Sequence, residues 1–145
     1  MWLTGWITAN AAEAGTAPEW LADLPKAVAQ AKKENKTVLV DFTGSDWCIW
    51  CIRLHEEVFS KPEFAEYAKK NLVLAVIDFP NSKPQSEELK KTNKALAEKY
   101  AIEGYPTVVV LDGEGKEIGR LGYGPGGPKP FIEKVDALKA ERKKS

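Results

Sequence analysis

The chain has 145 residues, which corresponds to one domain of ordinary size. Its 21 Lys and Arg residues balance its 21 Asp and Glu residues, and the resulting zero net charge argues against sequence-independent binding to nucleic-acid phosphates. The longest apolar run, residues 72–77, is far shorter than the roughly 18 residues that a membrane-spanning helix needs. We therefore expect a globular domain over residues 18–145, without a transmembrane segment and without a nucleic-acid partner.

Residues 1–17 are predicted to be an N-terminal arm or the remnant of an export signal. They mix apolar and polar residues, and residues 12–14 (Ala-Glu-Ala) have the small-x-small pattern of a signal-peptidase site. No Lys or Arg precedes Lys26, whereas export signals begin with positive charge. Both interpretations therefore stay open.

Beyond this segment, helices and strands alternate. Apolar residues at helical spacing predict helices, and continuous β-branched runs predict strands buried on both faces. In chain order we expect a helix over 20–35, a strand over 37–42, a helix from the cysteines to 59, a helix capped by Ser60, a strand over 72–78, a helix over 87–100, strands over 107–111 and 116–121, and a helix over 131–142. Pro25 lies inside the first helical pattern and marks either its beginning or a kink. Strands linked through helices are expected to be parallel neighbours, and the 107–121 hairpin adds an antiparallel edge.

Cys48 and Cys51 are the two cysteines of the sequence, and two residues separate them. A bridge between them closes a loop so short that it stabilises the fold by only about 2 kcal/mol. A zinc site normally needs four ligands, and His55 is the single further Cys or His residue. A redox-active dithiol is therefore favoured over a structural pair or a metal site, and we expect no metal and no organic cofactor.

Three stretches of the sequence resemble the thioredoxin-fold family. Residues 40–42 (Val-Asp-Phe) end a predicted strand, residues 47–51 (Trp-Cys-Ile-Trp-Cys) open a helix, and residues 104–107 (Gly-Tyr-Pro-Thr) precede a strand. The run DFTGSDWC at residues 41–48 is similar to that of a bacterial branch of thioredoxin-like, disulfide isomerase-like proteins, many of them exported. The resemblance implies an α/β thioredoxin fold, with a central mixed β-sheet flanked by helices and an extra N-terminal helix. We expect a periplasmic or exported protein, with a cytoplasmic location as the alternative.

The resemblance also implies a catalytic set of Cys48, Cys51 and Asp41. Cys48, at the start of a helix, is expected to attack a disulfide, and Cys51 to resolve the mixed disulfide that forms. Asp41 is expected to accept the proton of Cys51 if it is buried beneath the pair. The alternative is a strand-end aspartate that caps a turn or pairs with a lysine.

A substrate-binding surface is expected around Cys48. Trp47, Trp50 and Tyr105 are predicted to form an apolar platform, with core packing as the alternative explanation, above all for Trp47. The resemblance implies that Pro106 is cis and packs against the cysteine pair, and that the backbone of Tyr105 pairs with an extended peptide. Tyr123 is expected to border the same groove.

The function predicted from these features is thiol–disulfide exchange on proteins. Because no His lies between the cysteines and Asp46 is close to them, a reductase or isomerase is favoured over a strong oxidant. The expected partners are protein or peptide substrates with disulfides or thiols, and a redox partner that supplies electrons. We expect the protein itself to be a monomer. The alternatives are a non-catalytic peptide-binding or chaperone module and a subunit with a structural disulfide.

Overall fold

The computed structural model describes residues 17–144, so the predicted N-terminal arm or signal remnant lies outside the described residues except for its last position. Within the described part, helices flank both faces of a mixed five-stranded sheet. In chain order the elements are β1 (Trp20–Leu21), α1 (Leu24–Glu34), β2 (Thr37–Thr43), α2 (Ile49–Leu54), α3 (Pro62–Asn71), β3 (Leu72–Asp78), α4 (Glu87–Lys99), β4 (Thr107–Leu111), β5 (Glu117–Leu121) and α5 (Pro128–Lys144). Helix α2 continues into one π-helical turn, His55–Phe59. None of the helices in this range is both long enough and apolar enough to cross a bilayer.

Strand β2 runs through the middle of the sheet, whose order is β1-β3-β2-β4-β5. It is parallel to β3 and antiparallel to β4, so that Asp41 lies opposite Val76 on one side and Val108 on the other. The β4–β5 hairpin forms the predicted antiparallel edge. The expectation of parallel neighbours is wrong for β3 and β4, because β4 lies on the far side of β2 and runs antiparallel to it.

Two apolar cores cover the two faces of the sheet. One lies against α1 and α4 and includes Val40 and Phe42, and the other lies against α2, α3 and α5 and includes Leu39 and Leu54. Every residue of β2 is buried, as its continuous apolar run predicted. Burial of each such large apolar side chain contributes about 1.5–3 kcal/mol. The strand that leads into the cysteine motif is therefore anchored from both faces.

The first described elements differ in part from the sequence prediction. Residues 20–21 form β1, which pairs with β3, instead of the first turn of a helix. Helix α1 begins at Leu24, because the Asp23 side chain caps it by accepting a hydrogen bond from the Lys26 N–H at 3.1 Å. Pro25 occupies the first turn, where a missing N–H has no helical partner to lose. Since α1 precedes the long strand β2, the predicted extra N-terminal helix is confirmed.

Two later helices begin elsewhere than predicted. Ser60 does not cap α3, because its hydroxyl donates to the Glu56 carbonyl at 2.9 Å and the residue still ends the preceding helix. Lys61 takes the N-cap position of α3 without a side-chain hydrogen bond. Helix α5 begins at Pro128, three residues before the predicted start at Phe131, since proline is well accommodated in a first helical turn.

Candidate active site

Cys48 lies where the central strand meets a helix. A turn of residues 44–47 follows β2, and Cys48 is the N-cap of α2, with an extended backbone conformation. Its Sγ accepts a hydrogen bond from the Cys51 N–H at 3.3 Å, and its thiol donates to the Tyr105 carbonyl at 3.7 Å. Unpaired N–H groups at a helix N-terminus stabilise an anion. A thiolate at Cys48 therefore still accepts the hydrogen bond from the Cys51 N–H.

Cys51 lies one helical turn further on, and both cysteines are free thiols. Their exposed fractions are almost equal, 7% for Cys48 and 5% for Cys51, so their hydrogen bonds rather than their burial distinguish them. The Gly44 N–H donates to Cys51 Sγ at 3.5 Å. Burial, followed by the hydrogen bond with Cys48, raises the pKa of the Cys51 thiol to about 11. Cys51 is therefore protonated at neutral pH and needs a base before it can act as a nucleophile.

Asp41 is buried on the face of the sheet that carries the cysteines. Residues two apart on a strand point to the same face, and Asp41 is two residues before Thr43, whose side chain hydrogen-bonds Cys51. Burial first, and the negative charge of Asp78 second, raise the pKa of Asp41 to about 7. Its Oδ1 atom has no hydrogen-bond partner among the described residues. The alternatives of a turn cap or a lysine pair therefore have no contact to support them within residues 17–144.

Asp46 fixes the turn before Cys48 to the segment that follows β3. Its two carboxylate oxygens accept hydrogen bonds from three consecutive backbone N–H groups, at 2.8–3.1 Å, of Asn81, Ser82 and Lys83. The first two of these bonds lower the pKa of the Asp46 carboxyl most. The carboxylate is thus directed at this segment, and sequence reasoning, which noted only its proximity to Cys48, missed this role.

Ser45 ties the same turn to the end of β3. Its N–H and its hydroxyl both donate to the Asp78 carboxylate, at 3.0 and 2.6 Å. Asp78 is paired with Thr43 in the sheet and therefore points to the same face as Asp41. A second carboxylate thus stands close enough to Asp41 to raise its pKa, and no sequence signal indicated this pair.

Trp47 is half-exposed beside Cys48. Its indole N–H donates to the Phe79 carbonyl at 2.7 Å, and its ring meets the Tyr105 ring edge-on at 5.9 Å. A Cβ atom at Gly44 would lie 2.3 Å from the indole, so only glycine fits beneath it. With 45% of its surface exposed, Trp47 contributes to the surface around Cys48, and core packing does not account for it.

The loop before β4 brings Tyr105 and Pro106 to Cys48. The peptide bond between them is cis, as the resemblance implied, and Pro106 is buried. The Tyr105 ring packs against Trp47 and against Phe79, with centroids 5.9 and 5.5 Å apart. The backbone of this loop therefore borders the thiol, 57 residues away in the sequence.

Trp50 and Tyr123 form a second aromatic pair. Their ring centroids are 5.1 Å apart, and the Arg53 guanidinium lies 5.3 Å from the centroid of Trp50 and 5.7 Å from that of Tyr123. Arg53 Nε also donates to Glu57 at 3.1 Å, and the Tyr123 hydroxyl donates to the same carboxylate. Sequence reasoning missed Arg53 and Glu57, although their spacing of four residues on a helix indicates an ion pair.

The remaining candidates concern metal binding. Among residues 17–144, no group of three or more His, Cys, Asp or Glu side chains is arranged to hold a metal ion. His55, the single histidine of the chain, is exposed on the surface. The groups gathered around Cys48 can transfer protons and exchange thiols.

The chain is similar to known bacterial redox proteins. The family described as "Thioredoxin-like domain" matches residues 24–138. Disulfide bond reductase DsbH of Chlamydia pneumoniae is 37% identical over 115 residues, which cover 79% of this chain and 69% of that protein. Thiol:disulfide interchange protein DsbD of Photorhabdus laumondii is 33% identical over 87 residues, which cover 60% of this chain but only 14% of that longer protein.

The chain is also similar to a solved structure. A DsbH oxidoreductase matches with a TM-score of 0.80 at 33% identity, and the match covers 87% of this chain and 87% of that chain. These similarities confirm the fold predicted from the sequence, a mixed sheet flanked by helices.

Proposed function

The chain belongs to the thioredoxin-like domain family and is a disulfide oxidoreductase, and from that premise we propose that it reduces disulfides in proteins through Cys48 and Cys51. The observation that carries the proposal is the helix-capping thiol of Cys48, whose Sγ accepts the Cys51 N–H at 3.3 Å. Asp41, buried on the same face of the sheet, is the proposed proton acceptor. The substrates are proteins or peptides that contain a disulfide.

In the first step, the Cys48 thiolate attacks one sulfur of the substrate disulfide. A bond forms between Cys48 Sγ and that sulfur, the substrate disulfide breaks, and the other sulfur leaves as a thiolate that takes up a proton. The Cys51 N–H stabilises the attacking thiolate. The product of this step is a mixed disulfide between the protein and its substrate.

In the second step, Cys51 resolves the mixed disulfide. Its thiol, whose pKa burial raises to about 11, gives its proton to Asp41, whose pKa of about 7 leaves it partly ionised at neutral pH. The Cys51 thiolate then attacks Cys48 Sγ, a Cys48–Cys51 disulfide forms, and the second substrate sulfur leaves as a thiolate. The substrate has gained two electrons and the protein has lost them.

The substrate is proposed to lie across the aromatic surface around Cys48. Trp47 and Trp50 are about half exposed, and each lies within two residues of Cys48 in the sequence. Pro106 and the backbone of Tyr105 border it on the side of β4, and an extended peptide is proposed to pair with that backbone. Tyr123, packed on Trp50, is proposed to border the same surface.

A second partner must return the protein to its reduced form. A thiolate of a dithiol partner attacks the Cys48–Cys51 disulfide, and the partner leaves as a disulfide. Two observations favour net reduction over oxidation of substrates. Within residues 17–144, the hydrogen-bond partners of Cys48 Sγ are the Tyr105 carbonyl and the N–H and thiol of Cys51, none of them a cationic side chain, and the 37% identical relative is named as a disulfide bond reductase.

Cysteine variants test the proposal directly. With dithiothreitol as the electron source and insulin as the substrate, the native protein is expected to accelerate disulfide reduction, and Cys48→Ser is expected to abolish the acceleration. Cys51→Ser retains the nucleophile but cannot resolve the intermediate, so mass spectrometry should detect a covalent adduct with the substrate.

Two results would contradict this account. Activity that survives Cys48→Ser excludes Cys48 as the nucleophile. A Cys48→Ser protein that keeps its partner function, together with a native protein that reduces nothing, favours the non-catalytic binding module instead.

A further inference from the structure

Trp50 is an exposed side chain with a fixed position. It lies between the two cysteines in the sequence, and 48% of its surface is exposed. Tyr123 packs against its ring at 5.1 Å, and the Arg53 guanidinium lies 5.3 Å from the ring centroid. Ring–ring and cation–ring contacts of this kind each favour one orientation of an indole. Trp50 therefore projects from a supported position, in contrast to a freely rotating surface side chain.

Both supports of Trp50 are anchored on Glu57. Arg53 Nε donates to Glu57 Oε2 at 3.1 Å, and the Tyr123 hydroxyl donates to Oε1. Glu57 lies in the π-helical turn that continues the cysteine helix, and Tyr123 lies in the loop between β5 and α5. One carboxylate thus connects two parts of the chain that are distant in sequence, and both side chains that it binds contact the exposed indole.

We propose that Glu57 is a positioning residue for the substrate: it anchors Arg53 and Tyr123, and thereby holds Trp50 as a rigid contact for a bulky apolar side chain next to the substrate cysteine. This inference rests on the proposed reduction of protein disulfides. It extends that function by naming a determinant of substrate preference and the residue that keeps the determinant in place.

The chemistry of the surface indicates which side chain it accepts. Arg53 and Glu57 neutralise each other, so this part of the surface presents no unbalanced charge from that pair. Ile49, which precedes Trp50 in the sequence, is 60% exposed and adds a further apolar side chain to the surface of this helix. An aromatic or large aliphatic side chain is buried against such a surface without desolvating a charge, and rigid aromatic residues are frequent binding hot spots. A charged or small polar side chain gains much less binding free energy from contact with the same surface.

The test compares three disulfide substrates. Two are peptides that differ only in the residue beside the cysteine, Phe in one and Ser in the other, and the third is hydroxyethyl disulfide, which has no side chain that could pack on Trp50. Glu57→Ala is expected to raise KM for the Phe peptide by about threefold to tenfold, the effect of losing one aromatic contact. Its kcat, its reduction potential and its turnover of hydroxyethyl disulfide should stay at the native values.

A double-mutant cycle separates positioning from general damage. In a Trp50→Ala background, Glu57→Ala should change KM no further, because the contact that it holds is already gone. Glu87→Ala is the matched control, since Glu87 forms an exposed pair with Lys90 at 3.2 Å on α4, outside this cluster. That control should leave every value unchanged.

Three results decide the outcome. An unchanged KM for the Phe peptide in Glu57→Ala, or an equal rise in the Trp50→Ala background, overturns the inference while the proposed function stands. If Glu57→Ala does not fold, Tyr123→Phe, which removes only the hydroxyl, carries the same test and should raise the same KM. A native protein that reduces none of the three substrates contradicts the proposed function itself.

Discussion

Asp41 and Cys51 determine how the proposed reaction depends on pH. Burial raises the pKa of both groups, Asp41 to about 7 and the Cys51 thiol to about 11. An ordinary aspartate, with a pKa near 4, would be a much weaker base toward that thiol. The raised pKa of Asp41 therefore lies closer to the pKa of the thiol from which it accepts the proton. The resolving step should therefore slow as the pH falls through about 7 and Asp41 becomes protonated.

The same burial makes the stability of the fold depend on pH. The pKa of Asp41 is higher in the folded chain than in the unfolded one, so between about pH 4 and 7 the folded state binds more protons and stability falls as the pH rises. At about 1.4 kcal/mol for each pH unit, this group should lower the free energy of unfolding by roughly 3 kcal/mol between pH 5 and pH 8. Asp41→Asn should remove that decrease, as measured by urea unfolding at several pH values.

The control for this prediction is Asp23→Asn, since Asn caps a helix about as well as Asp does. It should keep the pH dependence of the native chain. If native and Asp41→Asn proteins lose stability in parallel between pH 5 and pH 8, Asp41 is not the buried acid that this account requires.

At the scale of elements, the turn before Cys48 is joined to the segment after β3. Ser45 bonds to Asp78, the Asp46 carboxylate accepts three backbone N–H groups, and the Trp47 indole bonds to Phe79. These bonds hold the turn of residues 44–47 in place before the helix begins. The position of Cys48 thus depends on a segment more than 30 residues further along the chain.

Asp46→Ala should loosen this junction. The amide hydrogens of residues 81–83 lose their acceptor, and we expect them to exchange with solvent about tenfold faster or more, because local opening no longer breaks charge-assisted bonds. Hydrogen exchange followed by NMR measures this, with the amides of β2 as an internal reference. Asp46→Asn, which keeps one acceptor oxygen, should show a smaller effect, and protected amides in Asp46→Ala would refute the assignment.

Strands were predicted from the sequence better than helix ends. The bounds of β3 and β4 agree with the prediction, because continuous apolar runs leave one possible buried strand. The spacing of residues 20–21 from Leu24 also fits a helical face and therefore predicts a helix, because a two-residue strand has no period of its own. Ser60 is a residue type that often caps helices, but the π-helical turn before it extends the previous helix by several residues.

At the scale of the whole molecule, the sheet topology assembles the site. Cys48 follows the central strand, and the crossing of β4 to the far side of β2 brings Tyr105 to the thiol. The motif spacing indicated a thioredoxin fold and the cysteine pair, but strand order depends on crossovers that local patterns do not encode. For the same reason, the link between Glu57 and Tyr123, 66 residues apart, could not be predicted.

The central claim, that the Cys48–Cys51 pair serves as a reductant of protein disulfides, is tested most directly by its reduction potential. The couple can be equilibrated with glutathione buffers and followed by the fluorescence of Trp47, which precedes Cys48, and Trp50, which lies between the two cysteines. The account predicts a value near about −270 mV, as for thioredoxin-type reductants. A value of roughly −180 to −120 mV would instead place the protein among isomerases or oxidants, and would contradict the claim.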